Sequence, residues 1–284
     1  MMNSLEKQML ALLVELRRNC GACYVRAEFE SEGLRVEDVL RLKNVASRAG
    51  LALSLTIGGC EGKRDLIESK DFGAEMIVAP MVESAFALRK YEQAALSVYS
   101  HDELEGTTFW FSLETIAAVS KSDNILASES ASKMAGAVVD RVDLCRSLGM
   151  AEEDADAAEV SVMVSSLVRK AKAAGLETIV GGGVTSRSFD LFSTLIAERA
   201  LDFFETRKVG FATDGLTSER YMRALSLAIG FELLFLRDKI SGGQDSAARE
   251  ADRLAYLETT YRDEIESALC LPASVLAEGM RDRP

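Results

Sequence analysis

The stretch CYVRAEFESEGLRVEDVLRLKNVASRAGLALSLTI, residues 23–57, decides how the fold is read. Its first eight residues are β-rich, and 36–49 (VEDVLRLKNVASRA) space apolar residues three and four apart, as an amphipathic helix does. Gly50 follows at the position where a helix end favours a left-handed residue, and 51–57 (LALSLTI) is a strand again. Strand, helix, strand with short links is the building unit of a parallel sheet.

The unit repeats outward from there. Further strands are expected at 76–80 (MIVAP), 107–113 (TTFWFSL), 135–140 (AGAVVD), 177–182 (ETIVGG), 201–205 (LDFFE) and 208–211 (KVGF), which makes eight. Helical patterns fall at 61–72, 84–97, 153–174 and 186–199. Eight strands in this length, with no early G-x-G-x-x-G, favour an α/β fold of the closed kind, a (β/α)8 TIM barrel, over an open doubly wound sheet. The barrel is expected to occupy 1–238, with an extra N-terminal helix at about 3–18. Residues 239–284 form a C-terminal helical tail whose face of Ala247, Ala251, Leu254, Leu257, Tyr261, Ile265 and Leu269 needs a partner, either the chain's own barrel or a neighbouring subunit. A homo-oligomer is the expectation.

Charge and composition narrow the function. A formal charge of −12 disfavours nucleic acid, which draws on clustered Lys and Arg, so a small-molecule substrate is expected. No run approaches the ~20 apolar residues of a membrane span, and Glu6 and Glu15 interrupt the N-terminal segment, which reads as a helix and not as a signal peptide. Five cysteines at irregular spacings point to reduced thiols and a cytoplasmic protein. Cys20 and Cys23 are one C-x-x-C pair, too little for a zinc site beside a single histidine. That histidine, His101, precedes strand four and so belongs to the end of the barrel away from the chemistry.

Barrel enzymes work at the C-terminal ends of their strands, and here those ends are charged. Strand one closes on Glu28, Glu30 and Glu32, strand two on Gly58-Gly59-Cys60-Glu61-Gly62-Lys63-Arg64, strand four on Ser112-Leu113-Glu114, and strand five on Asp140-Arg141-Val142-Asp143. Glu114 and Asp143 can converge on a hard cation, Mg²⁺ or Mn²⁺, with coordination left over for a bidentate 2-oxo acid. Either carboxylate can instead cap a helix or pair with Arg141. The glycines at 58–59 and 181–183 let backbone N–H groups approach an anion, or serve as tight turns.

Three of these segments resemble the HpcH/HpaI aldolase and citrate lyase superfamily: GAEMIVAPMVES (73–84), SLET (112–115) and DRVDLCRSLG (140–149). The resemblance implies a metal-dependent lyase or aldolase that cleaves or forms a carbon–carbon bond on a small 2-oxo acid such as pyruvate or oxaloacetate. It makes Glu114 and Asp143 the metal ligands and places the substrate against Gly58, Gly59, Ser112, Arg141 and Val142, the backbone N–H groups near 141–143 holding its carboxylate. The chain departs from the family after strand one, where Ser31-Glu32-Gly33 replaces Gly-Glu-His. It departs again at Thr56, in place of an arginine, and at Ser112, in place of a glutamine. Lys63 or Arg64 is expected to restore the cation, and Glu32 or Glu28 to supply a base. Two other readings stay open: another reaction on an enolpyruvate-type or phosphorylated substrate, and a non-catalytic relative that binds a ligand or partner.

Overall fold

The structure is a computed structural model that describes residues 2–241 and 247–261. Asn3 opens the first helix: its side chain accepts from the Glu6 N–H while the Glu6 carboxylate accepts from the Asn3 N–H, a reciprocal cap that satisfies two end donors. Helix α1 (Ser4–Glu15) then leads through a π-helical turn into β1 (Ala22–Glu28), α2 (Val36–Ala49), β2 (Ala52–Thr56) and α3 (Lys63–Asp71). Next come β3 (Met76–Ala79), α4 (Ala85–Val98), the short α5 (His101–Glu105), β4 (Thr108–Ser112) and α6 (Ile116–Leu126). The second half holds β5 (Gly136–Asp140), α7 (Arg141–Ser147), α8 (Ala158–Ala173), β6 (Glu177–Gly181), α9 (Phe189–Ala197), β7 (Phe203–Glu205) and β8 (Val209–Ala212). Two helices, α10 (Ser218–Ser241) and α11 (Ala247–Thr260), follow.

The strands close in chain order, β1 through β8, into the expected α/β barrel. β1 to β7 are parallel neighbours, but β8 runs antiparallel to both β7 and β1. The physical reason is length. A parallel return needs a crossover of about a dozen residues or more, whereas residues 206–208 alone separate β7 from β8, so the pair forms a hairpin that Thr206 closes with its N–H on the Val209 carbonyl at 2.9 Å. Because β8 ends at the barrel's floor, α10 starts there and climbs the outside against α1. It passes residue 238 without a break, and Asp238 near its end accepts from Asn3 at 2.8 Å and pairs with Arg41 at 3.1 Å.

Period-two alternation sorts each strand's side chains. Val25 and Ala27 face the helices, while Tyr24, Arg26 and Glu28 face the barrel axis. The lower interior is apolar, built from Tyr24, Met76, Val78, Trp110, Val138 and Ile179. Trp110 lies so close over Gly136 that a Cβ there would come within 2.1 Å of the indole, so the sequence has no side chain at that point.

In the tail, Leu257 is buried, and Leu254 and Tyr261 pack on the main core, so this face meets the chain's own helices. Gly242, Gly243, Ile265, Leu269 and Cys270 lie outside the described residues. Among the described residues no helix is long and apolar enough to cross a membrane. His101 is exposed on α5, in the connection that precedes β4.

Candidate active site

Above the apolar floor the barrel opens into a hollow of about 390 Å³, mouth included. Its wall comes from the C-terminal ends of the parallel strands: Arg26 and Glu28 from β1, Thr56 from β2, Pro80 after β3, Ser112 and Glu114 at β4, Asp140 from β5 and Glu205 from β7, with Asp143 from α7. Five carboxylates and one cation therefore share a small space.

Arg26 hydrogen-bonds Glu28 and lies 3.3 Å from Glu205. Burial by itself would raise the Glu28 carboxyl, but the Arg26 charge, the Ser31 hydrogen bond and the charges of Arg207 and Lys208 together outweigh it and hold this group below its ordinary range. Glu205 receives the Tyr24 hydroxyl at 2.9 Å, and there burial wins and pushes its carboxyl up. Glu114 is 5% exposed, and its Oε1 accepts from the Met81 N–H at 2.7 Å. Among the described residues no second hydrogen bond reaches this carboxylate, and burial, followed by the nearby Asp140 charge, pushes it up to about 8. Asp140 is raised as well, again chiefly by burial.

Both expected metal ligands line the hollow. Glu114 reaches it from the end of β4, and Asp143 reaches it from the first turn of α7, where it also pairs with Arg146 at 2.7 Å. Ser112 is buried in the same wall.

Four other expectations end elsewhere. Glu32 does not line the hollow; it is buried in an ion pair with Lys208, and Arg207 stands 3.8 Å away. Lys63 and Arg64 begin α3 on its solvent side, Arg64 being 89% exposed and paired with Glu68 at 2.9 Å. The Gly58 N–H is spent on Asp65 at 2.6 Å, and the Gly59 carbonyl on the Gly62 N–H at 2.9 Å, so these glycines form a turn closed on itself. Arg141 is wholly buried behind the wall, where it pairs with Asp156 at 2.6 Å and donates to Ser188 at 3.0 Å and to the Gly181 carbonyl at 3.2 Å.

The backbone near 141–143 is occupied too. Asp140 Oδ1 accepts from the N–H of Val142 at 2.9 Å and of Asp143 at 3.0 Å, so the chain's own carboxylate caps α7 where a substrate carboxylate was expected. Gly182 serves that cap: with φ at 74° it lies so near that a Cβ would come within 2.3 Å of Asp140 Oδ1. Gly181 and Gly182 thus give room to the carboxylates of Glu205 and Asp140, while Gly183 faces Ala155 and Val142.

Arg26, Asp140 and Glu205 are the site residues that sequence reasoning missed. The signal for Arg26 was available, because Tyr24, Arg26 and Glu28 alternate along one strand and must share a face.

Among the described residues no group of three or more His, Cys, Asp and Glu side chains is gathered to hold a metal unaided. Mg²⁺ and Mn²⁺ ask less of a protein, typically one or two carboxylates with water and substrate completing the shell. Glu114, with an oxygen free of hydrogen bonds and three acidic neighbours that oppose its ionisation, fits that demand, and Asp143 on the same wall would be the second donor.

Residues 59–188, which span β3 to β6, match the profile of the HpcH/HpaI aldolase/citrate lyase family. No curated protein matches the chain in sequence. Among solved structures, an HpcH/HpaI aldolase from Desulfitobacterium hafniense DCB-2 is 16% identical with a TM-score of 0.58, over 72% of this chain and 82% of that one. A citrate synthase variant, SbnG, is 17% identical with a TM-score of 0.54, over 70% and 81% of the two chains. Macrophomate synthase is 14% identical with a TM-score of 0.53, over 70% and 74%. At these identities the structures share the fold. Over this central segment the chain is thus similar to the HpcH/HpaI aldolase/citrate lyase family, and it shares the barrel of these solved structures.

Proposed function

We propose that this protein is a carbon–carbon lyase or aldolase, or its condensing reverse, acting on a small 2-oxo acid such as pyruvate or oxaloacetate with a divalent metal, Mg²⁺ or Mn²⁺. The family match and the aldolase and synthase neighbours support this class of reaction. The observation that carries it is the presence of Glu114 and Asp143 on one wall of the hollow, at the end of the barrel where such enzymes work.

Glu114 and Asp143 would hold the metal, and Met81 fixes one Glu114 oxygen so that the other is directed by the rigid strand end. A bound divalent ion supplies Lewis-acid stabilisation of enolate charge. Val78, Val138 and Trp110 exclude water from below, which strengthens every charge interaction above them. Glu28, and not Glu32, is the carboxylate on hand to take a proton, because it lines the hollow and is kept ionised by Arg26. The hollow suits a small acid and has little room for a large cofactor. A second copy of the chain is proposed as the partner in solution, to be checked by sedimentation.

The test is calorimetric titration of oxalate, an enolate mimic, into metal-stripped protein with and without Mg²⁺ or Mn²⁺, on the native chain and on a Glu114→Gln/Asp143→Asn variant. Binding that requires metal and disappears in the variant is the expected result. Absence of binding with either metal overturns the reading and favours a non-catalytic ligand-binding barrel.

A further inference from the structure

Every anion that enters the hollow needs a positive partner, and the expected ones are all engaged elsewhere. The α7 N–H groups are taken by Asp140 at 2.9 and 3.0 Å. Arg141 is buried on Asp156, and Lys63 and Arg64 face solvent. Lys208 is locked to Glu32. What remains on the wall is Arg26, the one cationic side chain among the described lining residues. It comes from outside the segment that matches the family profile, and it stands on β1 opposite Ser54, in the same lining as Thr56 at the end of the neighbouring strand.

The two carboxylates on Arg26 are held very differently. Glu205 is only 4% exposed, tied by the Tyr24 hydroxyl at 2.9 Å and crowded against Gly181, so it is a fixed counter-ion that orients the guanidinium. Glu28 is the last residue of β1, its side chain is 26% exposed, and it already has an alternative partner in the Ser31 hydroxyl. A guanidinium carries five donors in a rigid fork, which suits it to exchange one carboxylate for another of the same shape.

We propose that Arg26 is the substrate-anchoring residue of this site: the carboxylate of the 2-oxo acid takes the place of Glu28 on the guanidinium, and Glu28 turns to Ser31 at the mouth. The inference rests on the 2-oxo acid reading above and deepens it, since it assigns the acid end of the substrate to Arg26 and not to the backbone of α7. The displaced Glu28, held by Ser31 and no longer paired with Arg26, then stands beside the substrate, where a base is needed.

Oxalate affinity, measured by calorimetry in the presence of Mn²⁺ and again in its absence, tests this on native protein, Arg26→Gln, Arg26→Lys and Glu28→Gln, with circular dichroism to establish folding. The expected pattern has opposite signs. Arg26→Gln weakens oxalate at least tenfold and Arg26→Lys by less, whereas Glu28→Gln, which removes the internal competitor, tightens it about threefold to tenfold. A purely structural Arg26–Glu28 pair would make both glutamine variants weaker, and that result overturns the proposal, as does an affinity unchanged within about twofold in every variant. If Arg26→Gln does not fold, the sign of the Glu28→Gln effect alone decides. Metal-dependent binding that ignores Arg26 sinks this inference and leaves the metal site standing. Metal-independent binding that needs Arg26 does the reverse. A native protein that binds no oxalate at all overturns both.

Discussion

Met81 donates its backbone N–H to Glu114 Oε1 at 2.7 Å from a left-handed conformation, φ 49°, that few residues other than glycine adopt. The side chain itself is 58% exposed and contributes little burial. The strained backbone, and not the methionine, is what the site uses. Met81→Gly should therefore keep the hydrogen bond and gain about 0.5–1 kcal/mol of stability, because glycine takes this conformation without a steric penalty. Urea denaturation of the two proteins checks it, and a loss of stability would mean that the side chain matters after all.

Glu114 predicts an unusual dependence of stability on pH. Burial, and after it the Asp140 charge, lift its carboxyl to about 8 in the folded protein, against an ordinary value of 4.5 when the chain is unfolded. Between those values the folded state holds a proton that the unfolded state has lost, so stability declines as pH rises from about 4.5 towards 8. Each pH step of one across that window costs ~1.4 kcal/mol, so the whole effect is on the order of 5 kcal/mol. Unfolding free energies measured in metal-free buffer across this range should slope downwards, and Glu114→Gln should remove most of the slope.

Arg141 is expected to be structural. Arg141→Met takes from Asp156 its fully buried partner and leaves only Arg187, 3.7 Å away, with the Thr185 and Ser188 hydroxyls, a loss of about 2–3 kcal/mol, below that of a wholly buried pair broken on one side. The thermal midpoint should fall by several degrees, while oxalate affinity in the surviving folded protein stays within about twofold of native. A tenfold loss of affinity without a loss of stability would return Arg141 to the substrate.

The pair Lys63 and Arg64 offers a contrasting control. Both are exposed at the start of α3, and Arg64 makes a surface pair with Glu68, worth ~0.5 kcal/mol or less. A Lys63→Met/Arg64→Met variant should match native protein in stability to within about 0.5 kcal/mol and in oxalate affinity to within about twofold. Marked weakening of oxalate would mean that this helix end folds over the mouth when substrate is present.

The barrel was legible because its signals are local and redundant. The repeat that begins at 23–57 recurs along the chain, and the expected strands match those observed to within a residue or two. Glu114, Asp143 and Ser112 were legible for a related reason, since a strand end on the barrel implies a place at its mouth. The direction of β8 could have been read from the short link 206–208, which excludes a parallel return, but eight β-rich runs suggest a uniform repeat and hide the exception. Lys63, Arg64 and Glu32 sit close in sequence to strand ends, yet the first turn of α3 and the loop after β1 aim them away from the axis. Arg141 shows the limit more sharply: it follows a strand end directly, and its long side chain reaches backwards to Asp156 and Gly181. Where a flexible side chain goes depends on partners 15 and 40 residues away, which no local pattern encodes.

The reversed last strand also bears on how the chain assembles as it leaves the ribosome. β1 emerges early with one edge paired to β2, and its other edge waits for β8, so that Val25 meets Val209 only after most of the protein has been made. An open edge exposed for that long is a site for mispairing between nascent chains. The hairpin shortens the search: β7 and β8 join locally, and the pair then docks as a finished unit, which replaces two slow long-range closures with one.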